Sequence, residues 1–283
     1  MGEERSALCA FADWFPGVVA SELEQAKSLY HQSRETSWTD RMLLELKKLR
    51  DPRIVVQGSN ERLTGADMDW HFVRRDGQRH IHLAVQAKIL HYTKPRTPDR
   101  YDDLAYPKRS GKQSRQLVNY ARKRLREGIA TYPLYLFYNP ASATNWPLLT
   151  SPGITLASGF RIAHHLTTSF RMSRDRKVAL EATEFETIEP LMFLLSDIFC
   201  CEITDVPDPD NVAFALGNLE DEMHAITING PRVPTPGASE LVPQDIKFIV
   251  DRLRDDVSAS MEFEGGDGLP LKRPRVIFVS GDR

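Results

Sequence analysis

Residues 65–90, GADMDWHFVRRDGQRHIHLAVQAKIL, decide the fold class of this chain. Two runs with alternating side chains, at 68–74 and 80–90, flank the dipeptide Asp76-Gly77. Asp-Gly between two such runs is typical of a two-residue type I′ turn that joins antiparallel strands. The sequence therefore predicts a β-hairpin in which the numbers of facing residues sum to 153.

The two faces of the predicted hairpin differ in chemistry. Successive side chains of a strand point to opposite faces, so this register collects apolar residues on one face, which we expect to lie on the core. The apolar face holds Met68, Trp70, Phe72, Ile81, Leu83 and Val85. The opposite, polar face places Asp67 across from Gln86, with Asp69 and Lys88 in neighbouring positions. Facing partners lie ~5 Å apart at Cβ, so these four polar side chains are expected to lie together.

The residue types on this polar face are those of metal-assisted phosphate chemistry. Carboxylates at that spacing suit Mg²⁺ (or Mn²⁺), a hard cation that prefers oxygen ligands and keeps several waters. An adjacent lysine can orient a water and stabilise the charge that develops on a phosphate. The alternative is an ordinary solvated hairpin face, on which Asp–Lys pairs contribute little to stability.

Histidines offer a second interpretation of the same face. His71, His80 and His82 share it, and the alternation of His80 and His82 is a spacing used by metal sites. Three histidines would favour Zn²⁺ or another borderline metal. Exposed strand histidines without a ligand remain the alternative, because a fourth ligand is not evident in the sequence.

The rest of the chain mixes helical and strand patterns. Apolar spacing predicts helices at 19–31, 39–49, 114–127 and 245–254. Strands are predicted at 53–57, 134–138, 154–158 and 275–280, and an apolar run of undecided type lies at 191–200. Six prolines predict a loop-rich stretch over 204–243. Helices and strands in this order indicate an α/β or α+β fold.

The predicted helix 114–127 carries basic residues on one side. Arg115, Asn119, Arg122 and Arg126 follow one another at spacings of four, three and four, which places them on one stripe. The segment 88–127 as a whole holds twelve Lys or Arg against four acidic residues. Such a stripe can hold the phosphates of a nucleic acid without reading its sequence. The alternative is a solvated helix face.

Length and charge limit the classes of protein. The chain has 283 residues, which suits one large domain or one domain with an extension. We place a core domain at 1–150 and a C-terminal extension of unknown role, packed on the core, at 151–283. The formal net charge is −2, but residues 1–180 carry +11 and residues 181–283 carry −13. This asymmetry favours either nucleic acid at the basic part or an acidic tail lying on a basic body.

Cysteine usage and hydropathy indicate the compartment. The cysteines are Cys9, Cys200 and Cys201, without a C-x-x-C motif. We therefore expect a reducing cytoplasm, with neither a disulfide framework nor a cysteine zinc site. No stretch approaches ~18 consecutive apolar residues, so we expect no membrane partner.

Two short motifs resemble those of a known group of enzymes. Gly65-Ala66-Asp67, a spacer and Gln86-Ala87-Lys88 look like the active-site pattern of the PD-(D/E)XK nuclease superfamily. The pattern is most similar to the Mrr-like branch, in which the second motif reads Q-x-K. The resemblance covers about residues 35–139. It implies a restriction-endonuclease-like core of helix, three-stranded β-meander, helix and strand, followed by a C-terminal α/β extension. Stretches 35–40 and 133–139 also resemble an uncharacterised family of bacterial proteins that share this core.

The resemblance assigns roles to individual residues. It implies that Asp67 binds the metal, that Gln86 is the polar residue of the second motif and that Lys88 is the catalytic lysine. Glu35 would be an acidic residue contributed by the first helix, and its alternative role is to favour the helix N-terminus. Asp69 shares the polar face and could replace or assist Asp67.

The function implied by the resemblance is a Mg²⁺- or Mn²⁺-dependent endonuclease that hydrolyses phosphodiester bonds, with DNA as the first partner to consider. A homodimer and a role in bacterial defence or DNA processing are implied in the same way. Gln86 stands where most of the superfamily has a carboxylate, which removes one negative charge from the site. A non-catalytic nucleic-acid-binding or protein-interaction module that keeps a degenerate nuclease fold is therefore the alternative.

Overall fold

The computed structural model describes residues 5–58, 67–91, 99–105, 111–143, 153–172, 180–202, 205–226, 233, 237–255 and 273–281. Its helices include α1 (Ala7–Ser28), α2 (Glu35–Lys48), α3 (Lys112–Arg126), α4 (Gly159–Met172), α5 (Phe185–Ile188), α6 (Ser196–Phe199), α7 (Pro209–Ile226) and α8 (Gln244–Asp255). Its strands are β1 (Ile54–Gln57), β2 (Met68–Arg74), β3 (His80–Ile89), β4 (Thr131–Tyr138), β5 (Ile154–Ser158), β6 (Met192–Leu194) and β7 (Arg275–Ser280). The mixture of helices and strands confirms the predicted α/β class in its broad form.

The strands form one mixed sheet in the order β1-β7-β2-β3-β4-β5-β6. Strand β7 lies between β1 and β2, antiparallel to β1 and parallel to β2. The predicted three-stranded meander is therefore wrong, because β7 occupies the position beside β2 that the meander gives to β1. Residues 151–283 contribute β5, β6 and β7, so the segments on both sides of the predicted boundary at residue 150 supply strands to the same sheet.

The register of the β2–β3 hairpin is confirmed. Met68 faces Val85 and Val73 faces His80, so the paired numbers sum to 153. Strand β3 also pairs in parallel with β4, which brings Gln86 opposite Tyr135. This register fixes which side chains of β2, β3 and β4 share a face.

The turn of the hairpin differs from the prediction. Gly77 has a φ of 70°, whereas Asp76 does not have a positive φ. A type I′ turn needs positive φ at both central residues, so the predicted turn type is wrong. The N–H of Gly77 donates to the carbonyl of Arg74 at 2.8 Å, and the N–H of Arg74 donates to the carbonyl of Arg79 at 3.0 Å. The loop thus has four residues, and one extra residue on each side leaves the sum of paired numbers unchanged.

Helices cover both faces of the sheet. On the first face, Phe11 of α1, Met42 of α2 and Leu216 of α7 pack in one apolar cluster with Trp70 and Leu83 of the hairpin. This is the core face that the alternation of the hairpin predicts. The burial of such a large apolar area is the main source of stability for a fold of this size.

The second face, predicted to be polar, is also buried. Leu117 of α3 and Ile162 of α4 pack there with Ala84 of β3. Gln86 and Lys88, on the same face of β3, are buried with them. The alternative of a solvated hairpin face is therefore wrong.

Two helices lie where the sequence predicts something else. Helix α1 begins at Ala7, twelve residues before the predicted start, and Ser6 caps it by accepting the N–H of Cys9 at 3.1 Å. Pro16 lies inside α1, and a proline there masks the helical pattern. Helix α7 lies in the predicted loop-rich stretch and starts at Pro209, because proline is favoured at the first position of a helix.

None of the helices in the described residues is long and apolar enough to cross a bilayer.

The cysteine prediction is wrong for one pair. Cys9 of α1 and Cys200, which follows α6, form a disulfide across 191 residues of sequence. Cys201 is a free thiol whose Sγ donates to the carbonyl of Ile198 at 3.2 Å. Burial raises the pKa of the Cys201 thiol to about 12, so it is not a reactive thiolate at neutral pH.

Candidate active site

Glu35 and Lys88 meet at the end of strand β3. Glu35 is the first residue of α2, and Lys88 lies near the end of β3 with only 2% of its side chain exposed. The Lys88 Nζ lies 3.5 Å from Oε1 and 3.4 Å from Oε2 of Glu35. A buried ammonium needs such a partner, because burial of an unpaired charge is costly. Glu35 therefore fixes the lysine as well as occupying a helix N-terminus.

Asp67 stands directly before β2, at the same end of the hairpin. Its backbone N–H donates to the carbonyl of Val85 at 3.0 Å, and its Oδ2 accepts the N–H of Ala87 at 2.7 Å. The Asp67 side chain thus adds one more hydrogen bond to the pairing with β3, at the point where the backbone pairing of β2 ends. Burial raises the pKa of Asp67, and the positive charge of Lys88 and the Ala87 hydrogen bond oppose that rise only in part. Gly65 and Ala66, the rest of the first motif, lie outside the described residues.

The pKa of Glu35 reports the same cluster of charges. Burial raises this pKa most strongly, and the charges of Asp67 and Asp103 raise it further, against the lowering effect of Lys88. The net direction is upward for both Glu35 and Asp67. Two half-buried carboxylates that repel each other around one lysine are therefore incompletely neutralised by the protein.

Gln86 brings an uncompensated amide into the site. It is completely buried, and neither its Oε1 nor its Nε2 has a hydrogen-bond partner among the described residues. The hydroxyl of Tyr135, the partner of Gln86 on β4, is also buried without a partner in that part of the chain. Burial raises the pKa of Tyr135, and the charges of Asp67 and Glu35 raise it further. Buried polar atoms of this kind call for an explanation, such as a bound ion or a water.

Asp69 belongs to a different cluster. Its Oδ1 lies 2.7 Å from Nε2 of His82 and 3.1 Å from Nη1 of Arg273, beside which Tyr120 of α3 packs at 4.6 Å from the guanidinium. Burial alone would raise the pKa of Asp69, but His82 and Arg273 outweigh it and the net shift is downward. The predicted role of Asp69 as a metal ligand thus competes with two strong partners that the structure already provides.

The histidines form a packed group rather than a metal site. His71 stacks on His82 with ring centroids 4.5 Å apart, and Nδ1 of His71 lies 3.0 Å from Nε2 of His80. Burial lowers the pKa of His71, and it lowers the pKa of His80 to about 3. No group of three or more His, Cys, Asp or Glu side chains is arranged to hold a metal in the described part of the chain. The three-histidine zinc interpretation is therefore wrong.

The donors at the hairpin end nevertheless suit a hard cation. Glu35 and Asp67 supply two carboxylates, and Gln86 supplies an amide oxygen that has no other partner in the described residues. Mg²⁺ and Mn²⁺ bind through one or two carboxylates and retain water in the other positions. A cation would also offset the burial that raises both carboxyl pKa values. These three side chains fit Mg²⁺ better than Zn²⁺, which prefers nitrogen and sulfur.

The basic stripe lies on another side of α3. Arg115, Asn119, Arg122 and Arg126 are all exposed, as the helical spacing predicts. The buried residues of this helix, including Leu117 and Ala121, face the sheet instead. Arg122 lies over the ring of Phe160 of α4, with its guanidinium carbon 5.8 Å from the centroid. The stripe therefore faces solvent, and the site lies on the sheet side of α3.

Several residues of the site escape sequence reasoning. Asp103, in a 3-10 turn, acts on the charge of Glu35, and Arg273, in the segment before β7, pairs with Asp69 in the neighbouring cluster. Tyr135 gives no distinct signal in the sequence, because it is one of three tyrosines in the apolar strand β4. Only the register of β3 and β4 shows that Tyr135 is the strand partner of Gln86.

Fold and site together define a mixed α/β protein with a buried acid–lysine cluster at one end of its central hairpin. The chain belongs to a family described as a family of unknown function (DUF6615), whose model matches residues 8–282. No curated protein gives a significant match. No solved structure gives one either.

Proposed function

We propose that this protein is a metal-dependent nuclease that hydrolyses phosphodiester bonds in nucleic acid, DNA in the first instance. One observation carries the proposal. Lys88, almost fully buried, pairs with Glu35 of a separate helix and acts electrostatically on Asp67, beside an amide of Gln86 that has no partner in the described residues. Two carboxylates, an amide and a lysine in one buried cluster match the chemistry that such a reaction requires.

Each side chain of the cluster has a role in this proposal. Glu35, Asp67 and Gln86 would hold Mg²⁺ or Mn²⁺, which supplies charge neutralisation at the phosphate and activation of a water when bound. Lys88 would donate from its Nζ to a phosphate oxygen and stabilise the negative charge that develops there. Glu35 also positions Lys88, because both of its carboxylate oxygens lie within hydrogen-bond reach of the Nζ.

The proposal includes a restriction-endonuclease-like core. The order of α2, β1, β2, β3, α3 and β4, with β3 parallel to β4, supports it. The insertion of β7 between β1 and β2 is a departure from the simple order that the resemblance implies. The site residues lie on α2, on β3 and directly before β2. The insertion of β7 therefore does not change the order in which the elements that carry the site follow one another along the chain.

The direct test is cleavage by the purified protein. Plasmid and single-stranded substrates are incubated with Mg²⁺, with Mn²⁺ and with a chelator, for the wild type and for Asp67→Ala and Lys88→Met. Loss of a charge-stabilising group or a metal ligand is expected to lower the rate by ~10²–10³-fold. Asp40→Ala, an exposed position on α2, is the matched control. Undiminished metal-dependent cleavage by both site variants would contradict the assignment.

A second candidate function follows from the number of carboxylates. Glu35 and Asp67 make two, Asp69 is engaged elsewhere, and no three-residue metal cluster exists in the described chain. This favours a non-catalytic nucleic-acid-binding or protein-interaction module with a degenerate nuclease fold. Calorimetry separates the two functions: salt-sensitive DNA binding without any heat of Mg²⁺ or Mn²⁺ binding supports the module and excludes the nuclease.

The proposal keeps the cytoplasm as the location. Disulfides are typical of oxidising compartments. In the cytoplasm the Cys9–Cys200 pair would therefore be reduced. Trapping of thiols by alkylation at cell lysis, followed by mass determination, measures the state of this pair. A fully reduced pair supports the cytoplasmic location, and a fully oxidised pair contradicts it.

A further inference from the structure

The connection between α1 and α2 presents an aromatic ring to solvent. Tyr30 is 92% exposed, and the preceding Leu29 is 77% exposed. Tyr30 has a φ of 54°, a left-handed conformation that is uncommon for a residue with a side chain. It stands at the position after the helix end that glycine usually occupies, with its N–H donating to the carbonyl of Lys27 at 3.0 Å. Packing does not account for a large aromatic residue at this position, since the ring is almost entirely in solvent.

A cavity with basic side chains lies immediately after Tyr30. It has a volume of about 360 Å³ and is lined mainly by the α1–α2 connection and the first turns of α2, including His31, Arg34, Ser37, Trp38 and Arg41. Arg41 pairs with Glu22, the acidic residue of the lining, and lies over the ring of Trp38 at 5.6 Å. The two arginines against one glutamate give this cavity a positive balance.

Trp38 adds a buried donor without a partner. Only 7% of Trp38 is exposed, and its indole N–H has no hydrogen-bond partner among the described residues. An unpaired buried N–H costs free energy that a bound acceptor, such as a phosphate or base oxygen, would recover. The cavity therefore offers cationic groups to an anionic ligand, and a buried indole N–H without a partner in the described residues belongs to its lining residue Trp38.

The cavity adjoins the candidate active site. Arg34 directly precedes Glu35, whose carboxylate holds Lys88. Tyr30 is five residues from Glu35, a stretch that spans at most ~18 Å. A strand of nucleic acid bound at Glu35 would need to extend by at most ~18 Å along the chain to meet the cavity and Tyr30.

From this juxtaposition we infer that the α1–α2 connection binds unpaired nucleotides of the substrate, so that the protein acts on single-stranded or frayed nucleic acid. Tyr30 stacks on a base, and Arg34 with Arg41 holds a phosphate in the cavity. Aromatic stacking beside a basic groove is the general way to bind single strands without reading sequence. The inference rests on the proposed function, whose site it extends by a strand-binding surface.

Binding is measured without metal, so that it is independent of cleavage. A fluorescein-labelled single-stranded oligonucleotide is titrated in chelator, and anisotropy gives the affinity; duplex DNA and single-stranded RNA are the comparison arms. Tyr30→Ala is expected to weaken single-strand binding about 5- to 100-fold. Tyr30→Phe keeps the ring and is expected to bind as the wild type does. Phe214→Ala removes another exposed aromatic ring and is the matched control.

The phosphate contact has its own readout. Arg34→Ala is expected to reduce the slope of log affinity against log salt by about 0.7, the value for one lost phosphate contact on a single strand. Arg50→Ala is the matched control, because Arg50 is exposed and follows the end of α2. An unchanged slope for Arg34→Ala, or equal affinities for Tyr30→Ala and Phe214→Ala, overturns the inference.

Cleavage of plasmid with Mg²⁺ is measured on the same proteins. If the wild type cleaves but Tyr30→Ala binds single strands normally, the inference fails and the proposed function stands. If the wild type binds single strands through Tyr30 and never cleaves, the binding surface stands and the nuclease fails. A wild type that binds duplex in preference to single strands also overturns the inference.

Discussion

Asp67 and Asp69 are two carboxylates on one face of one strand end, and the protein treats them in opposite ways. Burial raises the pKa of Asp67 more than Lys88 and the Ala87 N–H lower it. At Asp69 the partners His82 and Arg273 outweigh burial, and the pKa falls. Asp67 and Asp69 are only two residues apart. The fold leaves the charge of Asp67 only partly compensated, whereas it neutralises that of Asp69.

The difference separates an ion network whose charges are paired from a cluster whose charges are only partly compensated. The surroundings of Asp69 provide a close histidine, an arginine and an aromatic ring over that arginine. The surroundings of Asp67 provide a second, half-buried carboxylate, an amide without a partner in the described residues and one shared lysine. Perturbed and uncompensated groups that lie together are typical of functional sites, whereas satisfied networks perturb pKa values without a function.

The largest expected effect is on stability and comes from Asp69. Asp69→Ala leaves Arg273 buried without its partner, so the free energy of unfolding should fall by about 3–5 kcal/mol. Asp67→Asn removes a charge that the fold disfavours and keeps an acceptor for Ala87, so stability should be unchanged or rise by at most about 1 kcal/mol. Urea unfolding of both variants without metal measures the difference. Equal losses would show that the two carboxylates are not treated differently.

A change at Gln86 tests whether the uncompensated cluster binds metal. Gln86→Glu restores a third carboxylate and should raise the affinity for Mn²⁺ about ten- to a hundredfold at pH 8, while it lowers the stability of the metal-free protein. Gln86→Met is the opposite control: it removes two buried polar atoms, so the metal-free protein should become more stable and bind Mn²⁺ more weakly. Calorimetric titration gives both affinities. Identical affinity in all three proteins would remove Gln86 from the site.

Acid should protonate Glu35 and Asp67 in a higher pH range than Asp69. Glu35 and Asp67 have raised pKa values, so protons displace Mn²⁺ from them as pH falls toward those values, above the ordinary 4.5 and 3.8. Affinity should therefore decline by about tenfold per pH unit for each carboxyl, or about a hundredfold per pH unit once the pH is below both pKa values. Asp69 has a lowered pKa, so its contribution to stability is complete above 3.8 and is lost as pH falls through the lower folded value.

Two measurements follow these pH ranges. Metal titrations from pH 8 down to pH 4 should show the decline in affinity, and Glu35→Gln should make the decline less steep because one titrating ligand is gone. Acid unfolding followed by circular dichroism should begin at higher pH in Asp69→Ala than in the wild type. A metal affinity that is flat over the whole range would contradict the assignment of the two carboxylates.

The smallest effect is expected from the basic stripe. Arg122→Ala removes one exposed charge on the solvent side of α3, so duplex binding should weaken about threefold and the salt slope should fall by about 0.9. Cleavage per bound complex should not change, because the stripe lies away from Lys88. Arg254→Ala on α8 is the control at another exposed arginine. A larger fall in cleavage than in binding would show that the stripe and the site are coupled.

Local patterns were sufficient to predict the hairpin and its register. The alternation of 68–74 and 80–90 sets the parity of the pairing, and that parity survives a turn of four residues instead of two. Asp67, Gln86 and Lys88 follow directly from this parity. Glu35 could be selected only through the resemblance, because its contact with Lys88 joins residues 53 positions apart.

The remaining features depend on contacts between distant residues. The place of β7 beside β2 and the ion pair of Asp69 with Arg273 join residues about 200 positions apart. The burial of the polar face is set by α3 and α4, which no pattern within the hairpin contains. The sequence predicts only the second half of helix α1, because Pro16 interrupts the helical pattern before it. The whole helix forms because its apolar residues pack against the sheet, which outweighs the local effect of the proline.

The position of β7 has a consequence for synthesis on the ribosome. Until residue 280 has been made, β1 and β2 lack the strand that joins them, and Asp69 lacks the backbone of Pro274 to which its N–H donates at 3.0 Å. At ~5–20 residues per second, roughly 10–40 s separate the hairpin from β7. A nascent chain therefore holds the acid–lysine cluster in an incomplete sheet until translation has passed the last strand.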